Sequence, residues 1–291
     1  MPHLEIDDAR LWFDEFGADD REPILASAMS FEPGGYPELL ASAPVSRRVL
    51  QIQARGYGES SRVTEKPSEG WLNLWADDVC RVADALGIDR FYYTGVSHGA
   101  GIGWHLAHRH PERLVGLISV VGTPHDRAGG TDSSASRAKV QANRHDPAVI
   151  REQFGVLAGW TDEPRRLAGR ELMYERIGRR LSEQDEAEAA INQGKPFPEA
   201  QTDEALAEIL RGISLPVLIL AGMRDGVITP ESSLRAAVAV RGAKSVFWED
   251  EGHMIAGESP ARLAREVALW LDERAGTAVP ADGIVSGTFR A

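Results

Sequence analysis

The stretch Phe91-Tyr92-Tyr93-Thr94-Gly95-Val96-Ser97-His98-Gly99 decides how this chain is read. Phe91 to Val96 is a continuous β-rich run, the pattern of a strand buried on both faces. Ala100 to Arg109 reads as a helix and is closed by Pro111. The turn between them is G-x-S-x-G. A serine in a tight strand-to-helix turn holds its Oγ clear of the sheet, and the helix N-terminus beside it favours negative charge as it develops. Ser97 is therefore the candidate nucleophile, with Gly95 and Gly99 allowing neighbouring chain to pack close. The five-residue pattern alone is common; the strand before it and the helix after it give it weight.

Outward from this turn, buried runs alternate with helical patterns. Leu4 and Ile6, then Leu11, Phe13 and Phe16, mark two short strands. Pro23–Ala28, Arg48–Gln53, Leu114–Val121, Leu215–Ala221 and Ser245–Trp248 are further strand-like runs. Leu72, Trp75, Ala76, Val79, Val82, Ala83 and Leu86 fall on one helix face that Gly87 stops. Thr229-Pro230 and Ser259-Pro260 are helix starts, a cap residue followed by a first-turn proline. This order implies an α/β fold, a mostly parallel central sheet with helices on both faces, its first two strands antiparallel at the edge.

Residues 125–212 break the alternation. They hold no convincing buried strand, and the spacing predicts helices near 147–158, 163–181, 183–192 and 202–211. The block reads as a helical insertion over one end of the sheet. The expected organisation is a core of residues 1–124 and 213–275, the insertion 125–212, and an extended or loose tail 276–291.

Composition narrows the function. The chain has 291 residues, 43% hydrophobic and 26% charged, so it can bury a sizeable core without staples. Its net charge of -12 speaks against nucleic acid or an anionic membrane as partner. The start lacks the basic and apolar regions of a signal peptide, and Cys80 is the single cysteine. A cytoplasmic protein is the expectation. No Cys/His/Asp cluster has metal-ligand spacing and no dinucleotide fingerprint follows a strand, so neither a metal nor a cofactor is expected. Oligomeric state is not legible.

Ser97 needs a base, and the base needs a carboxylate to hold its tautomer. His253 follows the strand Ser245–Trp248 in Glu251-Gly252-His253-Met254, and Asp225 follows Leu215–Ala221 in Gly222-Met223-Arg224-Asp225-Gly226. All three residues stand beyond carboxyl ends of strands, where open α/β sheets build their sites. The other seven histidines fit the role less well; His105, His108 and His110 read as sharing the polar face of one helix. Asp126, beyond Leu114–Val121, is a second candidate acid. Cys80, beside an apolar helix face, reads as packing.

Together these motifs make the chain resemble the α/β-hydrolase fold superfamily, of the serine esterase and epoxide-hydrolase-like type, over residues 4–125 and 212–274. Arg55-Gly56-Tyr57-Gly58-Glu59-Ser60 resembles that family's R-G-x-G-x-S turn. Asp225 to Pro230 resembles its acid turn, and Gly252-His253 with Glu258-Ser259-Pro260 resembles its base turn. The resemblance implies Ser97, Asp225 and His253 as catalytic residues and 125–212 as a helical cap governing access. It also implies backbone N–H groups of Phe31 and His98 as oxyanion donors. The family's His-Gly after the third strand is Met29-Ser30 here, so Ser30 Oγ is a further candidate. A serine at position 97, where epoxide hydrolases carry an aspartate, argues against that chemistry.

The expected substrate is a small carboxylic ester or lactone. Carbon–carbon bond hydrolysis, perhydrolysis, thioester hydrolysis, a cofactor-free dioxygenase-like reaction and simple ligand binding are the alternatives on the same residues. Phe154, Trp160, Met173 and Tyr174 are candidate substrate-binding residues of the insertion, with packing inside it an equal reading. Arg165, Arg166, Arg170, Arg176, Arg179 and Arg180 alternate with Glu163, Glu171 and Glu175 and read as a solvated helix face.

Overall fold

Successive strand residues enter opposite layers, because side chains alternate across a strand. In the computed structural model, Tyr93, Leu117, Val217 and Ile219 pack on one face with Trp75, Ile102, Trp104 and Leu206. Their neighbours Tyr92, Ile118, Leu218 and Leu220 pack on the other with Leu40, Leu263, Val267 and Trp270. The structure describes residues 3–29, 35–63, 65–132 and 135–275. Ser30, Phe31 and the tail 276–291, which carry expectations above, lie outside the described residues.

The chain runs β1 (His3–Ile6), β2 (Ala9–Phe16), β3 (Ile24–Ala28), α1 (Tyr36–Leu39), β4 (Val49–Gln53), α2 (Trp71–Ala85), β5 (Phe91–Val96) and α3 (His98–Arg109). It continues through β6 (Leu114–Val120), α4 (Ala135–Ala142), α5 (Pro147–Gly155), α6 (Pro164–Ser182), α7 (Glu186–Ala189) and α8 (Asp203–Arg211). Last come β7 (Val217–Gly222), α9 (Pro230–Ala239), β8 (Lys244–Trp248), α10 (Ile255–Glu258) and α11 (Pro260–Ala275). The sheet order is β1-β2-β4-β3-β5-β6-β7-β8. β1 and β2 are antiparallel to each other, β2 is antiparallel to β4, and the remaining pairs are parallel. The order reverses between β3 and β5, so the end of β5 is the switch point at which such sheets open a crevice.

The turn after β4 is fastened to α2. Arg55 grips Asp78 with two hydrogen bonds, at 2.9 and 2.7 Å, and Trp75 Nε1 donates to the Arg55 carbonyl at 2.8 Å. Between β6 and β7 the described residues form helices. Four match the expected ones; α4 was not legible, because its stretch is polar and buries one large apolar residue, Val140. The helices divide in allegiance. Leu206 and Leu210 of α8 join the sheet core, whereas α4, α5 and α6 share a separate cluster of Val140, Ile150, Tyr174, Ile177 and Leu181 with Met254. At roughly 1.5–3 kcal/mol per large buried side chain, so small a cluster holds three helices weakly unless other contacts add to it. Among the described residues, no helix is long and apolar enough to cross a membrane.

Candidate active site

Ser97 sits at the end of β5 with φ 53° and ψ −116°, a left-handed conformation that a non-glycine residue adopts only when its surroundings impose it. Those surroundings are backbone. The Ser97 N–H donates to Val120 O at 2.9 Å, and the Ser97 carbonyl accepts Ala100 N–H at 3.0 Å to start α3. A Cβ on Gly95 would lie 2.2 Å from the Gly99 carbonyl carbon, so the strand and the first turn of α3 meet with no room for a side chain. Tyr93 Oη, donating to Gly99 O at 3.0 Å, ties the same turn from below.

Two other strand ends bring partners to this serine. His253 Nε2 stands 2.9 Å from Ser97 Oγ, and His253 Nδ1 stands 2.8 Å from Asp225 Oδ2. Asp225 is buried, and its other oxygen accepts Val227 N–H at 2.8 Å and Ile228 N–H at 2.9 Å. A carboxylate so fixed can accept an Nδ1–H from His253, and in that tautomer the Nε2 lone pair faces the Ser97 hydroxyl. The other candidate acid, Asp126, turns its carboxylate back to Ala128 N–H at 2.9 Å, within its own loop.

His98 is the first residue of α3, where backbone N–H groups lack acceptors inside the helix. Burial, with Arg137 and His125 nearby, holds its imidazole well below the usual range. Arg137 Nη1 of α4 lies 3.3 and 3.4 Å from its two ring nitrogens. His125 is likewise pushed down, to about 4, by burial first and then by Lys195 and His253. Both are neutral near pH 7. Phe31 and Ser30, the other oxyanion expectations, are outside the described residues.

Of the four candidate substrate-binding residues, Tyr174 is buried in the α4–α6 cluster, with Phe154 and Met173 packed against it. Trp160 is 64% exposed under the Arg224 guanidinium, which lies 3.4 Å from its ring centre as a surface cation–π pair. The arginine face of α6 differs from the reading above. Arg166 and Arg180 are buried, and Arg166, Arg170 and Arg180 all hold carboxylates. The reason is position: 166, 170, 174, 177 and 181 share one face, and three arginines occupy it or its margin. His105, expected on a polar face, is also buried; Asn73 and the Phe197 N–H take its two nitrogens. Sequence reasoning thus missed Arg166 and Arg170 as partners of Glu251 and Glu258, which the base-turn motif already placed beside His253. The signal present was the i, i+4 spacing of the two arginines ahead of Tyr174. Among the described residues no cluster of His, Cys, Asp and Glu is arranged to hold a metal ion.

Known proteins share this architecture. A protein of Caulobacter sp. strain K31, provisionally named a carbamate hydrolase, is 34% identical over 106 residues, which are 36% of this chain and 39% of that protein. The chain therefore matches less than half of that relative's length. The 2-hydroxymuconate semialdehyde hydrolase of Pseudomonas putida is 27% identical over 233 residues, 78% of each chain. The solved structure of the enol-lactonase from Burkholderia xenovorans LB400 superposes with a TM-score of 0.70 at 21% identity, covering 93% of this chain and 99% of that one, a likeness of fold. Residues 26–260 match the family model described as the alpha/beta hydrolase fold, with strands β4 to β8, the turn after β5 and the loops after β7 and β8 all inside that span, and the chain belongs to the α/β-hydrolase fold family.

Proposed function

We propose that the chain is a serine hydrolase that cleaves a small carboxylic ester or lactone through an acyl-enzyme on Ser97. One observation carries the reading: the unbroken line from Ser97 Oγ through His253 to Asp225, at 2.9 and 2.8 Å. Ser97 Oγ attacks the carbonyl carbon as its proton passes to His253 Nε2. Asp225 stabilises the imidazolium and keeps the ring oriented. The His98 N–H, with that of Phe31, holds the oxyanion. The tetrahedral species collapses, the C–O bond to the leaving alcohol breaks, and His253 returns the proton to that oxygen. Water then repeats the attack on the acyl-enzyme, and Ser97 regains its proton. No cofactor is needed for any step. Helices α4, α5 and α6, within the insertion 125–212, act as the cap over the core of residues 1–124 and 213–275.

A second reading is hydrolysis of a carbon–carbon bond. The similarity to 2-hydroxymuconate semialdehyde hydrolase over 78% of both chains favours it, and the same three residues would serve. Labelling by a fluorophosphonate, abolished in Ser97→Ala, tests the nucleophile. Turnover of p-nitrophenyl esters of graded acyl length, set against 2-hydroxymuconate semialdehyde, decides between the bonds. Turnover of the semialdehyde with none of any ester would replace the first reading by the second.

A further inference from the structure

The loop that carries His253 is held by the inserted helices as much as by the sheet. Glu251 and Glu258 flank His253, and both side chains are fully buried. A buried carboxylate left without a cation is strongly destabilising. The cations come largely from α6. Arg166 Nη2 lies 2.9 Å from Glu251 and 3.7 Å from Glu258, and Arg166 Nη1 holds Asp250. Arg170 Nε donates to Glu258 at 3.0 Å while its Nη2 donates to Gly159 O at 2.8 Å. Arg262, from α11, completes the group on Asp250 and Glu251.

The backbone follows the same route. The His253 N–H itself donates to Leu157 O at 2.8 Å, and Trp160 N–H donates to Asp250 O at 2.8 Å. Glycines permit the approach: a Cβ on Gly252 would fall 2.5 Å from Leu157 O, and one on Gly159 would fall 2.5 Å from Asp250 O. Residues 157–160 thus lie flat on the base loop, and Arg170 clamps them to it.

We propose that Arg166 and Arg170 are positioning residues for His253, fixing through Glu251, Glu258 and residues 157–160 the loop that presents the imidazole to Ser97. The inference rests on the reading of His253 as the base. It makes the inserted helices part of the catalytic geometry and not only a wall around the substrate.

Fluorophosphonate labelling of the full chain tests it, with the maximal rate constant separated from the binding constant of the probe. Arg170→Met should slow the maximal rate tenfold to a hundredfold, the scale of an imidazole displaced by about 1 Å, and leave probe binding within about twofold. Arg170→Lys should recover part of the loss. Because Arg170 acts through Glu258, Arg170→Met/Glu258→Gln should be no slower than Arg170→Met alone. If Arg170→Met does not fold, Arg166→Lys, which keeps the charge but loses the fork joining Asp250 and Glu251, should show the same split. A wild-type maximal rate in a folded variant, a change confined to probe binding, or single losses that multiply in the double variant would each overturn the proposal. Should the wild-type chain itself resist the probe, the hydrolase reading fails and a different readout judges the positioning. The low-field proton resonance of His253 Nδ1–H should then broaden or move in Arg170→Met, and an unchanged resonance would overturn the proposal without any chemistry.

Discussion

Ser97 and His253 reach one point by different physics. The serine is set by steric exclusion inside the sheet core, where Gly95 and the first turn of α3 touch through backbone. The histidine hangs on a loop between β8 and α10, and the buried carboxylates of that loop and of α10 are matched by arginines of α6 and α11. The first arrangement rests on backbone contacts, with Tyr93 Oη on Gly99 O and Arg137 of α4 against the His98 ring beside it. The second depends on groups more than eighty residues away in sequence. Ser97 should therefore tolerate changes in α6, whereas His253 should register them.

The largest effect expected tests whether both halves serve one reaction. Ser97→Ala should lower ester turnover by about 10⁴-fold or more with the fold intact, since it deletes the proposed nucleophile and little else. Near-normal turnover in that variant would remove the covalent mechanism. Next in size, Asp225→Asn should cost about 10⁴-fold by favouring the wrong tautomer of His253. Asp126→Asn, whose carboxylate faces its own loop, should stay close to wild type in the same assay. The reverse pattern would transfer the acid role to Asp126.

The same contrast explains what was legible. The elbow could be read because it is local: strand, glycine, serine, glycine and helix follow one another, and their sterics need no distant partner. Asp225 and His253 could be read because each sits a few residues beyond a strand-like run. The arginines of α6 could not. Arg166, Arg170 and Arg180 have the composition of a solvated face, and only the partners on residues 188, 251 and 258 make them interior groups. α4 escaped because Val140 is its one large buried apolar residue, too little for a periodicity. α8 was seen as a helix, but its allegiance to the sheet core is fixed by Leu206 and Leu210 packing, which sequence spacing does not assign.

Gly95→Ala should come third. A methyl 2.2 Å from the Gly99 carbonyl carbon must push strand and helix apart, and backbone cannot yield as a side chain can. A loss of at least about 3 kcal/mol in chemical denaturation is expected, at the upper end of overpacking costs. A folded, active variant of wild-type stability would show the elbow to be looser than its contacts indicate.

Acid should weaken the elbow side next. His105, on α3 behind Ser97, is pushed down to about 3 by burial first and then by His108 and Arg109, and His125 is pushed down to about 4. In the unfolded chain both titrate near 6.5. The unfolded state therefore binds protons that the folded state refuses, so stability falls as pH drops from about 6.5 towards about 4, by on the order of 2 kcal/mol or more. Thermal melts across that range should show the fall, and His105→Gln, although less stable at pH 7, should show a flatter dependence. A wild-type slope in that variant would place the sensitivity elsewhere.

The smallest effect separates the two ends of α6. Gly169 and Gly178 lie in the same helix, and alanine is the better helix former by about 1 kcal/mol at either position. Their surroundings differ. A Cβ at Gly178 would meet nothing within 4 Å, whereas one at Gly169 would fall 2.3 Å from Gly257 O, on α10 just beyond the loop of His253. Gly178→Ala should raise stability by up to about 1 kcal/mol, a rise in melting temperature of roughly 2–4 °C, with turnover unchanged. Gly169→Ala should lose that gain to the clash and slow turnover, because α6 and α10, which follows the loop of His253, cannot keep their spacing. If both variants slowed turnover alike, sensitivity would belong to the whole helix, and the contact with α10 would not be what sets it.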